Sequence, residues 1–203
     1  MDIHQFAVVH PDAKIGENVK IGPFVTIDAN VEIGDGTIID SGAVVRSGAR
    51  IGKNCHIHAN AVVGDIPQDL KFQGEDTVAI IGDNTVIREF ATIHRGTASR
   101  GKTVVGNNCL IMAYSHVAHD CVVGNHVIMS NAVQLAGEVE VADWAIIAGG
   151  ALMGVVAALL RFVGFNPVNA EWLANPLSEI CSIIAYLLLI IYLVRASIKA
   201  KNS

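Results

Sequence analysis

The sequence predicts an all-β protein whose residues 1–150 form a parallel β-helix of hexapeptide repeats, followed by a hydrophobic α-helical tail. Three observations support the β-helix. Aliphatic residues recur at every sixth position, glycine often follows them, and two interruptions leave the phase of the repeat unchanged. Neither the period of an α-helix nor the alternating pattern of an ordinary strand produces this spacing. A fixed repeat is typical of a solenoid.

The repeat extends along most of the chain. Aliphatic residues occur at every sixth position from Val9 to Val63, and the same phase returns at Ile81 and again from Val105 to Ile147. Each hexad predicts one short strand that directs one aliphatic side chain into a central core, with Gly or Asn in the turn. Three hexads make one coil, and successive coils stack at the usual strand spacing of about 4.8 Å. The repeat therefore predicts a triangular prism of about seven coils.

Two segments interrupt the repeat, at about residues 65–79 and 96–102. Because the phase is kept after each one, we expect loops that leave a continuing prism, where binding residues tend to lie. In the first loop, Asp69 and Lys71 are candidate contacts for a sugar or phosphate. His94, just before the second loop, could add positive potential to such a site.

The segment SHVAHDC, residues 115–121, holds the strongest candidates for chemistry. It places His116, His119 and Asp120 close together in the sequence, and an imidazole beside a carboxylate is a plausible general base. Gly137 lies three hexads after His119, so we expect the two residues to occupy the same corner of the prism in adjacent coils. Its N–H could therefore donate to an oxyanion beside the base.

A zinc site is the alternative prediction for these histidines. Three of His94, His116, His119 and His126 could converge between subunits, as tetrahedral zinc requires. However, His94 and His116 are not separated by a whole number of coils, so the repeat does not place them on one corner. The general base is the preferred interpretation, with no metal.

Charge and cysteine content exclude some classes of function. The chain has 14 Lys and Arg against 19 Asp and Glu, a formal net charge of −5, and the acidic excess lies within 1–150, so nothing indicates nucleic-acid binding. The four cysteines show no metal-binding spacing and are typical of reduced thiols in an apolar core. No signal peptide is evident at the start of the sequence, and we expect a cytoplasmic protein.

Residues 151–203 differ in character and predict a second, helical region. The stretch 180–194 carries no charge, and Pro176 is a suitable first helical residue. We expect residues 176–198 to be a helix that could contact the inner membrane or pack on a partner. A hairpin with 144–160 as a first span would keep both ends on one side of the membrane.

Several motifs resemble one family. HPDAKIGENVKIGPF, IPQDLKFQGE, IREFATIHRGT and MAYSHVAHDCVVGNHVIMSNAVQLAGEVEV, followed by DWAIIAGGA, are similar to UDP-N-acetylglucosamine O-acyltransferases. The resemblance runs from about His10 to Ala151. It implies a left-handed prism, a cytosolic homotrimer and no cofactor. It also implies transfer of a 3-hydroxyacyl group from acyl carrier protein to the 3-hydroxyl of UDP-N-acetylglucosamine, the first step of lipid A synthesis.

The resemblance also implies roles for individual residues. His119 would be the general base, Asp120 would orient it, and the Gly137 N–H would stabilise the oxyanion. The implied substrate contacts lie around this centre, with the first two acting across a subunit interface: Asp69, Lys71, His94, His116 and Glu138. Glu138 stands where some family members have a histidine.

After Ala151 the chain departs from the family, which continues with further coils and a basic helical domain. The tail instead weakly resembles the last helices of multidrug exporters. Three hypotheses follow: an acyltransferase, a catalytically impaired prism or fusion with a membrane tail, and a zinc-dependent prism enzyme.

Overall fold

A computed structural model describes residues 2–148, which form 22 strands in three parallel sheets. The parallel hexapeptide prism predicted from the sequence is thereby confirmed. Within the described residues, no helix is both long enough and apolar enough to cross a bilayer. The helical tail at 151–203 and its membrane contact through 176–198 lie outside the described residues, as does most of the proposed span 144–160. The domain division at residue 150 stays a prediction.

Each sheet takes every third strand, so consecutive strands belong to different faces. The first face has eight strands: β1 (Asp2–Ile3), β4 (Lys20–Ile21), β7 (Ile38–Ile39), β10 (His56–Ile57), β13 (Val86–Ile87), β16 (Leu110–Ile111), β19 (Ile128–Met129) and β22 (Ile146–Ile147). The second has seven: β2 (Val8–Val9), β5 (Thr26–Ile27), β8 (Val44–Val45), β11 (Val62–Asp65), β14 (Thr92–His94), β17 (His116–Val117) and β20 (Gln134–Leu135). The third also has seven: β3 (Lys14–Ile15), β6 (Glu32–Ile33), β9 (Ala49–Ile51), β12 (Val78–Ile81), β15 (Lys102–Val105), β18 (Val122–Val123) and β21 (Glu140–Val141).

The period of six arises because the second residue of nearly every strand points inward. On the first face, Ile39 pairs with Ile57, three hexads later as expected, and Ile57 then pairs with Ile87 and Ile87 with Ile111. All four side chains are at most 1% exposed. The core is thus a stack of aliphatic layers, stabilised mainly by removal of apolar surface from water.

The two interruptions are loops that leave and rejoin the prism. The first lies between β11 and β12 and lengthens its coil by two hexads, since Val63 pairs with Ile93. The second lies between β14 and β15 and lengthens its coil by one hexad, since Ile81 pairs with Val105. The prism also begins one strand earlier than the sequence predicted, because β1 pairs in register with β4.

The corners of the prism adopt left-handed backbone conformations. Asparagine and glycine, which the sequence predicted there, occupy many of them, as at Asn54 with φ of 52°. Aromatic residues occupy others. Phe90 and Tyr114 have φ near 60°, and their rings stack with centroids 5.2 Å apart. Asp120 and Glu138 share this conformation, which places two acidic residues at one corner in adjacent coils.

Candidate active site

His119 and Asp120 lie at the corner that follows β17. The Nδ1 atom of His119 lies 2.9 Å from Oδ2 of Asp120. The Asp120 side chain is fully buried, and that of His119 is 19% exposed. The left-handed conformation of Asp120, with φ of 58°, turns the chain there and keeps its carboxylate beneath the second loop. The pair predicted from the sequence is therefore formed.

The second loop holds the Asp120 carboxylate through three donors besides His119. The Thr97 N–H lies 3.0 and 3.1 Å from its two oxygens, the Thr97 hydroxyl donates at 2.6 Å, and the Arg100 N–H donates at 3.1 Å. Burial acts to raise the pKa of Asp120, but hydrogen bonds from Thr97, His119 and Arg100 together lower it below its usual value. An ionised Asp120 can only accept from His119, so the imidazole proton lies on Nδ1 and Nε2 is the free base.

Gly137 lies directly against the imidazole of His119 in the next coil. A Cβ atom placed on Gly137 would lie 2.5 Å from both Cε1 and Nε2 of His119. The Glu138 N–H donates to the His119 carbonyl at 3.0 Å and fixes the two coils in this register. Within residues 2–148, no group accepts a hydrogen bond from the Gly137 N–H. Glycine is thus the residue that leaves room for the His119 imidazole at this position.

A cavity of about 360 Å³ opens beside this pair. Nine residues line it: Gln68, His94, His116, Ala118, His119, Gln134, Leu135, Ala136 and Gly137. Its wall combines imidazole rings, amide side chains and small apolar groups. A polar ligand could therefore reach the free Nε2 of His119 from this side.

Two further histidines form one wall of the cavity. The rings of His94 and His116 meet edge to face with centroids 4.6 Å apart, and Nδ1 of His116 lies 2.7 Å from the Thr92 hydroxyl. Burial, reinforced by His116, lowers the pKa of His94 to about 4. Burial and the nearby His119 also lower the pKa of His116. Both rings are therefore neutral near pH 7, rather than the source of positive potential expected for His94.

The first loop places its predicted residues outside this cavity. Asp69 accepts a hydrogen bond from the Lys71 N–H at 2.9 Å, and the Lys71 side chain is exposed. Neither residue is part of the cavity wall, whereas Gln68, one position earlier, is. Their predicted contact with substrate across a subunit interface stays a prediction.

Glu138 and His126 also lie away from the cavity wall. Glu138 is exposed and accepts a hydrogen bond from the Ser99 hydroxyl at 3.1 Å, so it ties the second loop to the next coil. The His126 ring stacks on Trp144 with centroids 3.9 Å apart, whereas the three other histidines weighed for zinc line the cavity. Within residues 2–148, His94, His116, His119 and His126 form no group with metal-binding geometry.

Sequence reasoning missed Gln134 and Thr97. Gln134 pairs with His116 one coil earlier, so the repeat could have identified it. Thr97 carries no such signal, since it lies in a loop that departs from the repeat. Its contacts with Asp120 are visible only in three dimensions.

The repeat and the overall sequence both have counterparts in known proteins. The family model described as "Bacterial transferase hexapeptide (six repeats)" matches residues 3–29, 30–65 and 102–133. An acyl-(acyl-carrier-protein)–UDP-N-acetylglucosamine O-acyltransferase from Burkholderia lata is 59% identical over 148 residues, which cover 72% of this chain and 56% of that protein.

Solved structures agree with these matches. The UDP-N-acetylglucosamine acyltransferase from Bacteroides fragilis is 54% identical with a TM-score of 0.71, and the match covers 71% of this chain and 56% of that one. The enzyme from Francisella novicida is 33% identical with a TM-score of 0.63, and the match covers 84% of this chain and 76% of that one. This chain belongs to the UDP-N-acetylglucosamine O-acyltransferase family.

Family membership also fits the left-handed winding that the sequence resemblance implied. As a member of the UDP-N-acetylglucosamine O-acyltransferase family, the chain is short. It spans 56–57% of the length of the curated relatives from Burkholderia lata and Campylobacter concisus.

Proposed function

We propose that this chain transfers a 3-hydroxyacyl group from acyl carrier protein to the 3-hydroxyl of UDP-N-acetylglucosamine, as the first step of lipid A biosynthesis. The observation that carries the proposal is the position of His119, held by a buried carboxylate on one side and packed against the backbone of Gly137 on the other. A base and a backbone donor that face one cavity are what acyl transfer to a hydroxyl requires.

His119 acts as the general base. Its Nδ1–H donates to Asp120, so Nε2 accepts the proton of the sugar 3-hydroxyl as the oxygen attacks the thioester carbonyl. The ionised Asp120 stabilises the imidazolium that results, because opposite charges 2.9 Å apart favour the protonated ring. Asp120 itself stays ionised, since Thr97 and Arg100 also donate to it.

Gly137 stabilises the other charge that develops. When the sugar oxygen bonds to the carbonyl carbon, the carbonyl oxygen becomes an oxyanion, and the Gly137 N–H donates to it. The tetrahedral intermediate then breaks its C–S bond. The leaving thiolate of the carrier protein takes the proton from the His119 imidazolium, and the products are the sugar ester and a free thiol.

The neutral state of His94 and His116 supports this assignment. A protonated ring next to His119 would disfavour uptake of the sugar proton, because like charges repel. Burial keeps both rings neutral near pH 7, so they can hydrogen-bond a substrate without opposing the base. We therefore assign both residues to substrate binding.

We infer that the protein acts as a homotrimer in the cytoplasm. Leu70, between Asp69 and Lys71, is fully exposed at 103%, and the loop carries these residues away from the cavity of their own chain. Such a loop is suited to contact substrate in a neighbouring subunit, together with the exposed Glu138.

An acyl-transfer assay with 3-hydroxyacyl carrier protein and UDP-N-acetylglucosamine tests the proposal. We expect product from the purified full chain, and a decrease of at least about 100-fold for His119→Ala, because a general base typically contributes about 10²–10⁴-fold. His126→Ala is the matched control. Its imidazole stacks on Trp144 outside the cavity, so activity should be unchanged.

Two results would contradict the proposal. One is the absence of product from a folded, trimeric chain, which would favour the impaired prism. The other is product formation that His119→Ala leaves unchanged, which would remove His119 from the chemistry. Thermal unfolding of both variants shows whether a loss of activity is a loss of fold.

A further inference from the structure

A second group of titratable side chains lies on the first face of the prism, away from the cavity. Asp40 follows β7, and His56 and His58 lie in and just after β10 of the next coil. Nε2 of His56 is 2.9 Å from Oδ2 of Asp40, and Nδ1 of His58 is 3.3 Å from the same oxygen. One carboxylate oxygen thus faces two imidazole nitrogens.

The donor atoms of this group converge. One ligand atom from each of Asp40, His56 and His58 lies within 4.8 Å of the other two, and within residues 2–148 this is the one set of three with that geometry. All three side chains are partly buried, between 20% and 38% exposed. Because adjacent coils of a hydrogen-bonded prism hold them, little conformational freedom is lost when they bind an ion.

The two imidazole rings of this group lie side by side, with centroids 3.9 Å apart and planes 23° from parallel. Imidazole is among the most common metal ligands in proteins, and it binds the ion through a ring nitrogen that carries no proton.

We propose that Asp40, His56 and His58 bind a first-row divalent cation of the Zn²⁺ class, with the fourth coordination position taken by water. Two imidazole nitrogens and one carboxylate oxygen suit Zn²⁺ and not Mg²⁺ or Ca²⁺, which prefer oxygen ligands. Ligands about 2.0 Å from a tetrahedral ion are about 3.3 Å from each other, which is the separation that Asp40 and His58 already have.

Binding of the ion requires two adjustments of the side chains. The contact between His56 and Asp40 opens by a few tenths of an ångström. One imidazole turns about its Cβ–Cγ bond, since two rings only 23° from parallel cannot both point their nitrogen at one ion. This torsion is broad and soft, so the turn costs little. Binding therefore separates the stacked rings.

Glu89 lies beside the site but outside the ligand set. Its Oε1 is 3.7 Å from Nδ1 of His58, and the Arg88 guanidinium holds both of its oxygens at 3.0 Å. Glu89 therefore contributes negative potential rather than a ligand. None of these residues lines the cavity around His119, so the inference is independent of the proposed acyl transfer.

Titration of the full chain, free of any affinity tag, with ZnCl₂ in a calorimeter tests the site. We expect one ion per chain, and a visible absorption band when Co²⁺ replaces Zn²⁺ in a tetrahedral site. Loss of even an outer contact of a metal ligand typically weakens binding about 10–100-fold, so His58→Ala and Asp40→Asn should weaken it by at least about 100-fold. His10→Ala is the matched control, because His10 also lies near a carboxylate, Asp12, at 3.7 Å.

Each outcome of this titration either supports or overturns the proposed metal site. Stoichiometric binding that is lost in His58→Ala and Asp40→Asn and kept in His10→Ala supports the site. No Zn²⁺ binding to the wild-type chain, or binding that the two ligand variants leave unchanged, overturns it. MgCl₂ in place of ZnCl₂ should give no heat at the same concentrations, and equal binding of both ions would also overturn it. Thermal unfolding without metal verifies that each variant is folded.

Discussion

The imidazole of His119 fills the space that a side chain at residue 137 would need. A Cβ atom on Gly137 would lie 2.5 Å from Nε2 of His119, well inside van der Waals contact. Residue 137 must therefore be glycine because the His119 ring of the adjacent coil occupies the space, and not because the backbone there is left-handed. The same contact brings the proposed base and the proposed oxyanion donor together.

Gly137→Ala should reduce acyl transfer by about 100-fold and also lower stability, because the His119 ring is displaced from its hydrogen bond to the buried Asp120. The added methyl group displaces the imidazole, and a misplacement of about 1 Å typically costs about that much. Steady-state kinetics and thermal unfolding measure the two effects. Gly74→Ala is the control, because Gly74 has a φ of 93° and no atom within 4 Å of an added Cβ. It should destabilise the loop backbone alone, so equal kinetic losses in both variants would contradict the prediction.

Asp120→Asn should reduce both activity and stability. All groups that contact the carboxylate oxygens are donors, so an amide NH₂ in this place would face other N–H groups. A buried polar group left without a partner typically costs about 1–3 kcal/mol, which urea unfolding can measure. Asp143→Asn is the control at the surface, since Asp143 accepts an exposed hydrogen bond from the Asn125 N–H. An Asp120→Asn variant with wild-type kinetics would remove Asp120 from the site.

Thr97→Val should destabilise the second loop and lower kcat more than it changes KM. The variant keeps the Thr97 N–H but loses the hydroxyl that donates to Asp120 at 2.6 Å. A hydrogen bond to a charged group is worth about 1.5–3 kcal/mol. Thr97→Ser restores the donor and should recover most of both properties. If Thr97→Ser is impaired as much as Thr97→Val, restoring the hydroxyl does not restore function and the prediction is wrong.

Stability should decrease as the pH falls from about 6.5 to about 4, because of His94. Its pKa is about 4 in the folded chain and about 6.5 when unfolded, so in this range the unfolded chain binds the extra proton. The contribution of His94 to the free energy of unfolding, of the order of 3 kcal/mol, is fully present above about pH 6.5 and is lost as the pH falls to about 4. Burial is the main cause of this lowered pKa; among the titratable neighbours of His94, His116 and His119 lower the pKa further and Asp65 opposes them.

Urea unfolding at pH 7.5 and pH 5.0 measures this effect. His94→Gln should show a smaller difference between the two values than the wild type, since the group that takes up the proton is gone. His10→Gln, which removes a histidine that is 45% exposed, should behave like the wild type. An equal pH dependence in all three chains would contradict the assignment to His94.

The spacing of apolar residues predicted the prism because one inward position in six is a strong, local constraint. The same count aligned His119 with Gly137, and the structure places them in contact. The loops could not be predicted in this way. Thr97 and Arg100 reach Asp120 only because the second loop folds back over the corner. Similarly, nothing in the repeat indicated that Gln68 would line the cavity while Asp69 would not.

The cluster on the first face was missed for a related reason. His56 and His58 fall at ordinary outward and corner positions of the repeat, where polar residues are expected. Asp40 lies three hexads before His58, so the repeat places the two in one column. The third member, His56, joins them only through the direction of its side chain, which sequence spacing does not specify.

The coil length also restricts how such a chain can vary. Adding or removing a whole coil before β17 would leave every later strand on its present face of the prism. A change of one hexad would instead move every later strand to the neighbouring face. The two loops add two hexads and one hexad yet avoid that rotation, because each leaves and re-enters at one corner. Heritable changes of length are therefore expected to come in whole coils or as corner loops, and either kind preserves the contact between His119 and Gly137.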